Sequence, residues 1–599
     1  MASLLRSQIN VCARRVPYAF SSSPVRVLNG GCALRATQRR FASSESFSEK
    51  YGGGSAFLPI AGLVSLGLVG YVTYDIWKRG THSPHSKDSK QSSYASAGLT
   101  HPEAEAESMA ADASSQPAPA PVTEKEPAAV APSDVTVAKQ PPLPEHVAYV
   151  LIGAGTASFA CMKAIRERDP NAKVLIIGEE DYNPYMRPPL SKALWLEENH
   201  ENARQLKFPA SWAGGKLIDV FYKYSFVAPH ELTQQEGGAS AVLTGNQVTT
   251  IDPSNRNITL SNGAVIKYDK CLIATGGKPK TLPMFSEGSD KLKSKVSVYR
   301  NINDYLQLDD VAMQKKSVLV VGGGFLGSEL AVGLASRGKP NNLQITQVFP
   351  EVGNLGLVLP AELSKWTTDK VRKEGVTVLP GVVVSSANVN ENDKVTVKLS
   401  NGDEMTVDHI VVAVGLQADT RLSTSSSGIE VDPDVGGYRV NSELQACTDV
   451  WVAGDVSSFY DPHLGRRRVE HHDHANVTGR LAGENMTGAQ KQFNHQSMFW
   501  SDVGPEVGFE AVGLIDAKLE TVGVWAKTTK DDKAAEGSPD VLPTDNYSKG
   551  VVFYLREKRI VGVLTWNCFG KMDVARKLIA NNSTKADINN YIKDFDIHA

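Results

Sequence analysis

The sequence contains little cysteine. Six of its 599 residues are cysteines, and two of them, Cys12 and Cys32, lie in a segment that we expect to be removed. The other four are far apart, with no C-x-x-C pair and no spacing typical of a metal site. This pattern excludes the usual cysteine-based redox and metal motifs and favours buried free thiols. The thiols concerned are those of Cys161, Cys271, Cys447 and Cys568.

The chain also lacks a large excess of charge of either sign. Its 63 Lys and Arg residues nearly balance 66 Asp and Glu residues, for a formal net charge of -3. This balance argues against a surface dedicated to nucleic-acid binding, although it leaves room for a local basic patch. A chain of 599 residues is too long for one hydrophobic core, so we expect about three domains.

The first segment lacks acidic residues. No Asp or Glu precedes Glu45, and the arginines there are mixed with serines and alanines. That composition is typical of a mitochondrial transit peptide, and the run RRFAS at 39–43 is typical of a matrix-peptidase cleavage site. We therefore predict a transit peptide at residues 1–44. A disordered basic tail is the alternative, which is disfavoured because a candidate membrane segment follows directly.

The next segment lacks charge altogether. The run AFLPIAGLVSLGLVGYVTY at 56–74 contains no charged residue, and a helix of that length spans about 28 Å, close to the hydrocarbon core of a membrane. A Trp-Lys-Arg sequence follows at 77–79, as interfacial anchors do. We predict a transmembrane helix at residues 55–77, with a buried core helix as the alternative. Residues 80–142 are rich in Ser, Ala, Pro and Glu, which predicts a disordered linker.

A strand, a glycine-rich turn and a helix follow the linker. The apolar run VAYVLI at 147–152 leads into GAGTAS at 153–158, where Ser158 takes the third glycine's place and should still fit. The first glycine of such a turn allows a tight bend, and the second lets the backbone approach a pyrophosphate at the helix N-terminus. An acid at the end of the next strand binds ribose hydroxyls and repels a 2′-phosphate. We therefore predict a nucleotide site that includes Gly153, Ala154, Gly155, Thr156, Ala157, Glu179 and Glu180.

A proline-rich loop, PYMRPPLSK at 184–192, comes after this nucleotide fold. It places two cations, Arg187 and Lys192, just beyond the fold. Arg187 suits a pyrophosphate, and Lys192 is placed to lie against a flavin ring, where positive charge favours the reduced anion. The alternative is a loop with a purely structural role.

A complete second fingerprint lies about 170 residues further along the chain. The strand SVLVV at 317–321 leads into a turn with Gly322, Gly324 and Gly327. The next strand ends at Glu351, which again predicts a free ribose 2′-OH and hence NADH rather than NADPH. Two fingerprints in one chain are typical of a flavoprotein in which one fold binds FAD and an inserted copy binds NADH.

Three further strands complete this organisation. KCLIATGG at 270–277 and HIVVAVGL at 409–416 are predicted return strands, the second with Gly415 at its tip. DVWVAGD at 449–455 is predicted to close the FAD fold, with Asp455 placed to bind the ribityl hydroxyls. The predicted fold is α/β: a glutathione-reductase-like flavoprotein with two dinucleotide-binding domains and an α+β C-terminal domain. Its parts are an FAD-binding domain at 143–277 and 417–497, an NADH-binding domain at 278–416 and a C-terminal domain at 498–599.

Five segments resemble a known family. They are PYMRPPLSK, GGGFLGSELA, GRRRVEHHDHA, GRLAGENMTGA and HQSMFWSD. Together they resemble the apoptosis-inducing factor family of mitochondrial flavoproteins, in a non-vertebrate form, and the match covers residues 146–599. The resemblance implies an FAD-dependent NADH oxidoreductase that is anchored in the mitochondrial inner membrane by one helix and faces the intermembrane space.

The resemblance also implies a set of cofactor contacts. The planar side chains of His471 and Trp500 suit stacking against a ring. A metal site in the run HHDH at 471–474 is the alternative, which the lack of partners in metal-ligand order disfavours, so we predict no metal. The implied FAD contacts are the turn at 153–157, Glu179, Arg187, Lys192, Val248, Arg300, Asp455, Glu470, His471 and Trp500. The implied NADH contacts are Gly323, Gly324, Phe325, Leu326, Glu351, Gly415, Glu470, His471, Trp500, Glu510 and Asn567.

Catalytic roles follow from the same resemblance. Lys192 and Glu329 are expected to form an ion pair that tunes the flavin potential, with His471 as the third catalytic residue. NADH is expected to produce a reduced-flavin/NAD charge-transfer complex and a homodimer. That dimer is expected to bind the intermembrane-space oxidative import and assembly factor and so support respiratory-chain biogenesis. The alternative to an enzyme is a redox-sensing scaffold whose turnover is incidental, whereas a disulfide reductase is disfavoured because no cysteine pair follows the first fingerprint.

A pro-apoptotic role is the remaining implication. A form released from mitochondria would relocate to the nucleus and bind DNA, with Lys270, Lys280 and the run 466–468 (RRR) as candidate contacts. Solvated or structural charges are the alternative for each of them.

Two departures from the family stand out. Leu357 stands where the family has a lysine, which predicts weaker binding of the adenosine end of NADH. The insertion at about 527–547 is shorter than the family's, which calls the family's redox-triggered rearrangement into question.

Overall fold

The computed structural model describes residues 142–423, 427–526 and 547–597. The predicted transit peptide, the predicted transmembrane segment and the predicted linker up to residue 141 lie outside these ranges. Within the described ranges, none of the helices combines the length and the apolar content needed to cross a membrane.

The helices and strands alternate along most of the described chain. The first part forms β1 His146–Ile152, α1 Thr156–Arg168, β2 Lys173–Ile177, α2 Ala193–Leu196, α3 His200–Arg204, β3 Lys207–Ala210, β4 Lys216–Asp219, β5 Ala239–Leu243, β6 Val248–Asp252, β7 Asn257–Leu260, β8 Val265–Ile273 and β9 Gly277–Pro279. The middle part forms α4 Pro283–Ser286, α5 Asp290–Lys293, β10 Val296–Val298, α6 Ile302–Gln314, β11 Ser317–Val321, α7 Phe325–Gly338, β12 Gln344–Phe349, α8 Ala361–Lys373, β13 Val376–Pro380, β14 Val384–Val389, β15 Val395–Leu399, β16 Glu404–Val407 and β17 His409–Val412.

The last part returns to the first fold and then adds a new sheet. It forms β18 Leu416–Ala418, β19 Tyr438–Arg439, β20 Gln445–Cys447, β21 Val450–Val452, β22 Ser457–Asp461, β23 Gly465–Arg467, α9 His472–Met486, β24 Met498–Val503, β25 Val507–Gly513, β26 Glu520–Trp525, β27 Gly550–Arg556, β28 Arg559–Trp566, α10 Met572–Ala580 and α11 Ile588–Tyr591. Short 3₁₀ helices lie at Pro188–Leu190, Ser211–Ala213, Pro229–Gln234, Lys339–Asn341, Gly454–Val456, Lys585–Asp587 and Ile592–Phe595.

The first sheet contains strands from two separate parts of the chain. Its order is β20-β21-β8-β1-β2-β5, with β7 beside β8 and β6 beside β7. Strands β21, β8, β1, β2 and β5 are parallel. Parallel strands are covered on both faces, which explains why β1 and β2 are nearly continuous apolar runs. Because β20 and β21 follow the second nucleotide fold in sequence, the first nucleotide fold is completed only by a late segment.

Two glycines explain how α9 packs on this sheet. A Cβ at Gly479 would lie 2.2 Å from the Ala157 carbonyl oxygen, and one at Gly483 would lie 2.4 Å from the Cys161 carbonyl oxygen. Only glycine permits so close an approach of the α9 and α1 backbones. The sequence GRLAGENM, with its two glycines four residues apart, therefore fixes α9 against the first nucleotide turn.

The second sheet is parallel throughout, in the order β10-β17-β11-β12-β13. Its strands come from one continuous segment of the chain. The predicted strand at 409–416 is too long, because β17 ends at Val412 and the backbone bends at Gly415, where φ is 107°. The predicted strand at 449–455 is likewise shortened to β21 and followed by the 3₁₀ helix Gly454–Val456.

The third sheet is antiparallel, in the order β24-β25-β28-β27-β26. The apolar runs at 551–555 and 560–566 lie in its strands β27 and β28. Helix α10 packs against the sheet through Ala575, Leu578 and Ile579, all of which are buried. This part is therefore an antiparallel sheet with helices, and the exact domain boundaries predicted from the sequence stay a prediction.

Candidate functional site

The first glycine turn is shaped by two glycines with different roles. Gly153 has a φ of 103°, and a Cβ there would lie 2.3 Å from the Ala274 carbonyl oxygen, so only glycine fits. Gly155 instead faces open space, with no atom within 4 Å of where its Cβ would be. Gly155 also precedes α1, whose first turn has no described side-chain cap. Its backbone N–H groups are thus free to bind a phosphate.

The second turn repeats this geometry. Gly322 has a φ of 126°, and a Cβ there would lie 2.3 Å from the Ala413 carbonyl oxygen. Gly324 faces open space before α7, as Gly155 does before α1. Gly327 adds a constraint, because a Cβ there would lie 2.2 Å from the Gly322 carbonyl oxygen. Both turns can therefore receive a pyrophosphate against bare backbone.

One continuous cavity of about 1440 Å³ joins the two turns. Sites for a single small ligand usually measure about 300–1,000 Å³, so this cavity has room for two nucleotides. All predicted cofactor-binding and catalytic residues line it except two of the C-terminal ones. The residues that line it are Gly153, Ala154, Gly155, Thr156, Ala157, Glu179, Glu180, Arg187, Lys192, Val248, Arg300, Gly323, Gly324, Phe325, Leu326, Glu329, Glu351, Gly415, Asp455, Glu470, His471 and Trp500.

The two exceptions are Glu510 and Asn567, whose side chains form hydrogen bonds within the C-terminal domain. The Glu510 carboxylate accepts the Gly570 N–H at 2.9 Å. The Asn567 side chain accepts the Gly508 N–H at 2.8 Å and donates to two backbone carbonyl oxygens. Both side chains hold loops in place here, and their contact with NADH stays a prediction.

The acids that end β2 and β12 differ in their surroundings. Glu179 accepts hydrogen bonds from Arg421 and Gln247, each at 3.1 Å. Arg421 in turn binds Asp419 at 2.6 Å, so a ribose at Glu179 would join an existing polar cluster. The Glu351 side chain has no hydrogen-bond or ion-pair partner among the described residues. Its carboxylate is therefore available to a ribose diol.

Arg187 is held by protein groups in this structure. Its guanidinium binds Glu180 at 2.7 Å and the Tyr185 hydroxyl at 2.8 Å, and it also donates to the Arg300 carbonyl oxygen at 3.0 Å. Glu180 thus serves as the partner of this cation. Arg187 and Arg300 both line the cavity. Their predicted contacts with the cofactor are untested.

The predicted ion pair between Lys192 and Glu329 is present. Lys192 Nζ lies 2.7 Å from Glu329 Oε1, and the exposed fractions of the two side chains are 15% and 3%. Two residues that the sequence did not reveal complete the cluster: Ser501 Oγ donates to Glu329 Oε1 and Ser191 Oγ to Oε2, both at 2.6 Å. Each carboxylate oxygen is therefore satisfied, and Glu329 fixes Lys192 at the cavity wall.

Asp502 follows Ser501 and is a further acid that the sequence did not reveal. Burial raises its pKa to about 6, while Lys192 lowers that pKa and Glu329 raises it. Asp502 is thus electrostatically coupled to the Lys192–Glu329 pair. A spacing signal could not have shown this, because the three residues lie on three different elements.

His471 is neutral and stacked at neutral pH. Burial lowers its pKa to about 4, with the positive charges of Lys192 and Arg467 adding to the effect and Asp455 opposing it. Its ring lies parallel to that of Phe499, with centroids 4.4 Å apart. Phe499 therefore holds the imidazole plane at the cavity wall. The sequence predicted that His471 stacks against a ring, but it did not reveal Phe499 as a stacking partner.

Two further predicted residues are oriented by ion pairs. Asp455 binds Arg300 at 2.8 Å, and Glu470 binds Arg468 at 2.6 Å. Trp500 is partly exposed to the cavity and meets the edge of His472 at a centroid distance of 6.1 Å. Asp455 and Glu470 are therefore held at the cavity wall by protein cations.

Most of the candidate DNA-binding cations have partners inside the protein. Lys270 donates to the Met486 carbonyl oxygen. Arg466 donates to the backbone oxygens of Val440 and Ser458. Arg467 binds the Asp461 carboxylate, and Arg468 binds the Glu470 carboxylate. These contacts favour the structural interpretation for all four. No group of residues with metal-ligand geometry is found in the described ranges.

Leu357 lies at the mouth of the cavity, with an exposed fraction of 66%. Its carbonyl oxygen accepts the Ala517 N–H at 3.0 Å, which ties the loop to the C-terminal domain. The short insertion at about 527–547 falls almost wholly outside the described residues.

Family models match most of the described chain. The model described as pyridine nucleotide-disulphide oxidoreductase matches residues 147–479. The model described as apoptosis-inducing factor, mitochondrion-associated, C-term, matches residues 482–541 and 535–581. The first match includes both glycine turns, and the second includes the antiparallel sheet.

Curated relatives agree with these models. A putative apoptosis-inducing factor 1, mitochondrial, from Drosophila melanogaster is 43% identical over 493 residues, which is 76% of this chain and 66% of that protein. Apoptosis-inducing factor 1, mitochondrial, from Dictyostelium discoideum is 40% identical over 498 residues, which is 79% of this chain and 89% of that protein. Monodehydroascorbate reductase 4, peroxisomal, from Arabidopsis thaliana is 31% identical over 56% of this chain and 65% of that protein.

Solved structures show the same fold at lower identity. A ferredoxin reductase from Rhodopseudomonas palustris has a TM-score of 0.59 and 23% identity, and the match covers 75% of this chain and 98% of that one. A water-forming NADH oxidase from Lactobacillus brevis has a TM-score of 0.57 and 19% identity, over 74% and 92% of the two chains. The chain therefore belongs to the apoptosis-inducing factor family and is an oxidoreductase with the two-dinucleotide-binding flavoprotein fold, whose cofactors are FAD and NAD(H).

Proposed function

We propose that this chain oxidises NADH, with FAD held at the first glycine turn and NADH at the second. The observation that carries the proposal is the continuous cavity that joins Gly155 to Gly324 and contains Lys192, Glu329 and His471 in its wall. Hydride transfer requires the two cofactors to be in contact, and a shared cavity permits that. FAD and NADH supply the redox chemistry, so the protein has to position them and exclude water.

Lys192 is the residue that we assign to charge stabilisation. A fixed cation beside a flavin favours its anionic reduced form. Glu329 holds the cation, and Ser191 and Ser501 hold Glu329, so the positive charge needs no rearrangement when charge develops nearby. His471 stays neutral and supplies a flat surface without competing with that charge.

A mitochondrial location is part of the proposal. The names of the relatives from Drosophila melanogaster and Dictyostelium discoideum both contain the word mitochondrial, and the sequence predicts a transit peptide and a membrane helix. We propose that the protein is anchored in the inner membrane, faces the intermembrane space and supports respiratory-chain biogenesis through an oxidative import and assembly factor. A homodimer formed on reduction would bind that partner. DNA binding finds no support in the contacts of Lys270 and 466–468.

An anaerobic titration of the full-length holoprotein with NADH tests the proposal. Absorbance reports flavin reduction, and sizing in the same samples reports dimer formation. Reduction followed by rapid reoxidation with a quinone supports an enzyme. A stable long-wavelength band with an increase in size supports the redox-sensing scaffold instead. Failure of NADH to reduce the flavin would refute both versions.

Carbonate extraction of mitochondria tests the location. We expect the mature protein to stay in the membrane pellet, because an apolar helix resists alkaline extraction. Proteolysis within 80–142 should then release a soluble flavoprotein. Complete extraction of the unclipped protein would show that residues 55–77 do not span the membrane.

A further inference from the structure

The loop between β12 and α8 carries Glu351 and is irregular, yet it is closely held. The Leu355 N–H donates to the Gly323 carbonyl oxygen at 2.7 Å, which joins the loop to the second glycine turn. A Cβ at Gly353 would lie 2.7 Å from the Ser364 carbonyl oxygen, so the loop also lies directly against α8. Glu351 thus projects from a segment that is clamped on two sides.

Asn354 is the centre of this clamp. It is fully buried, and each of its hydrogen-bonding groups has a partner. Its backbone N–H donates to Thr368 Oγ1 at 2.7 Å, and its carbonyl oxygen accepts from Ser364 Oγ at 2.7 Å. Its side-chain Nδ2 donates to Ser328 Oγ at 2.8 Å and to Gln347 Oε1 at 2.9 Å, while Oδ1 accepts from Thr368 Oγ1 at 2.9 Å. We call Ser328, Gln347, Asn354, Ser364 and Thr368 the Asn354 network; all five are buried.

The glycine turn fixes the orientation of both side-chain amides in this network. The Gly322 carbonyl can only accept, so Gln347 presents Nε2 to it, at 2.9 Å, and turns Oε1 towards Asn354. Asn354 must then present Nδ2 to Gln347 and Oδ1 to Thr368. The Thr368 hydroxyl has one proton and two acceptors within reach, Asn354 Oδ1 at 2.9 Å and the Ser364 carbonyl oxygen at 3.1 Å. Donation to Oδ1 is favoured, because Oδ1 has no other donor among the described residues. The network therefore has one consistent orientation, which begins at the turn that receives the pyrophosphate.

We propose that the Asn354 network positions Glu351 and thereby sets both the affinity for NADH and the discrimination against NADPH. This inference rests on the proposed function of the second turn as the NADH site. A loop backbone that is already in place limits the positions that the Glu351 carboxylate can reach, so less entropy is lost when a ribose diol binds. The carboxylate also stays near the place that a 2′-phosphate would take, so the repulsion is kept. Thr368 is a positioning residue in this scheme, because it acts through Asn354 and does not reach the cavity.

Two adjacent threonines allow a matched test in the full-length holoprotein. Thr368→Val leaves the Asn354 N–H and Oδ1 without a partner, at nearly constant volume. Thr367→Val is the control, since Thr367 is equally buried on α8 but its hydroxyl only donates to the Leu363 carbonyl oxygen of its own helix. The measurements are KM and kcat for NADH and for NADPH, flavin reduction by dithionite and the thermal midpoint.

For Thr368→Val we expect KM for NADH to rise about tenfold, with kcat and dithionite reduction unchanged. The ratio of kcat/KM for NADH to that for NADPH should fall. Thr367→Val should lower the thermal midpoint by less, because it leaves no buried group without a partner, and it should leave both kinetic quantities as they are. Equal changes of KM in the two variants, or an unchanged KM in Thr368→Val, would overturn the inference. A wild-type protein that NADH does not reduce would instead refute the proposed function.

Discussion

Removing the positive charge of Lys192 tests what the Lys192–Glu329 pair contributes to the free energy of unfolding and what it contributes to the rate of flavin reduction. In Lys192→Ala the Glu329 carboxylate stays buried, with an exposed fraction of 3%, and keeps only two neutral hydroxyl donors. Breaking a buried ion pair by removing one partner typically costs about 3–5 kcal/mol. Because Ser191 and Ser501 still solvate the remaining charge, we expect the lower end, about 3 kcal/mol of unfolding free energy.

The same change should slow flavin reduction. Loss of a preorganised charge at the reacting site commonly costs a factor of about 100 or more, and since Lys192 is partly solvated, we expect a loss of about tenfold or more. FAD should be retained, because its other predicted contacts remain. Removing Lys192 also removes a charge that lowers the pKa of Asp502, so Asp502 should be more fully protonated near neutral pH in the variant.

The double variant Lys192→Ala with Glu329→Gln separates the two effects. It removes the uncompensated charge, so stability should recover towards that of the wild type, while reduction should stay slow. The assays are chemical denaturation followed by flavin fluorescence and stopped-flow reduction by NADH. Lys585→Ala is the control: its pair with Glu520 is about half exposed at 3.1 Å, and such pairs contribute about 1 kcal/mol or less. If Lys192→Ala matches the wild type in stability and reduction rate, or if the double variant regains both, the assigned role of Lys192 is wrong.

Three other changes give distinct outcomes. The wild type should prefer NADH over NADPH by at least about tenfold in kcat/KM, and Glu351→Ala should reduce that preference. Equal values of kcat/KM for the two nucleotides in the wild type would contradict this. Gly327→Ser should impair reduction by NADH, because a Cβ there would lie 2.2 Å from a carbonyl oxygen, whereas Ser158→Gly at the matching place in the first turn should be tolerated with FAD retained. Burial lowers the pKa of His471 to about 4 and that of His474 to about 3, below the usual value of about 6.5. Below about pH 6.5 the unfolded chain therefore binds more protons than the folded chain does. The contribution of the two neutral histidines to the free energy of unfolding is complete above about pH 6.5 and is lost as the pH falls towards 4. Denaturation curves over that range should show that the free energy of unfolding depends less steeply on pH in His474→Gln than in the wild type.

The local parts of the site could be predicted from the sequence. Gly153 and Gly322 occur at the end of apolar strands, and a strand, a glycine and a small-residue helix in that order specify a nucleotide turn. The same pattern placed Glu351 at the end of the following strand, where the structure leaves its carboxylate without a protein partner among the described residues. These predictions depend only on residues that are neighbours in sequence.

The long-range parts could not be predicted from spacing. Ser501 reaches Glu329 across 172 positions, and Phe499 on β24 stacks on His471, which precedes α9. The Lys192–Glu329 pair was predicted only through the family resemblance, because no periodicity links residues 137 positions apart. The lengths of the predicted return strands were wrong because an apolar run does not reveal where a glycine with positive φ ends it.

The order of strands in the first sheet has a consequence for how the protein is made. Strand β8 ends at Ile273, and its neighbour β21 begins at Val450. At ordinary rates of synthesis the end of β8 that pairs with β21, residues 271–273, stays uncovered for roughly 10 to 35 seconds while the intervening residues are added. The second sheet, whose strands lie between Val296 and Val412, can form within that interval. An uncovered parallel strand is a site for aggregation, so a nascent chain that stops before Val450 should require a chaperone even though its NADH-binding part is already folded.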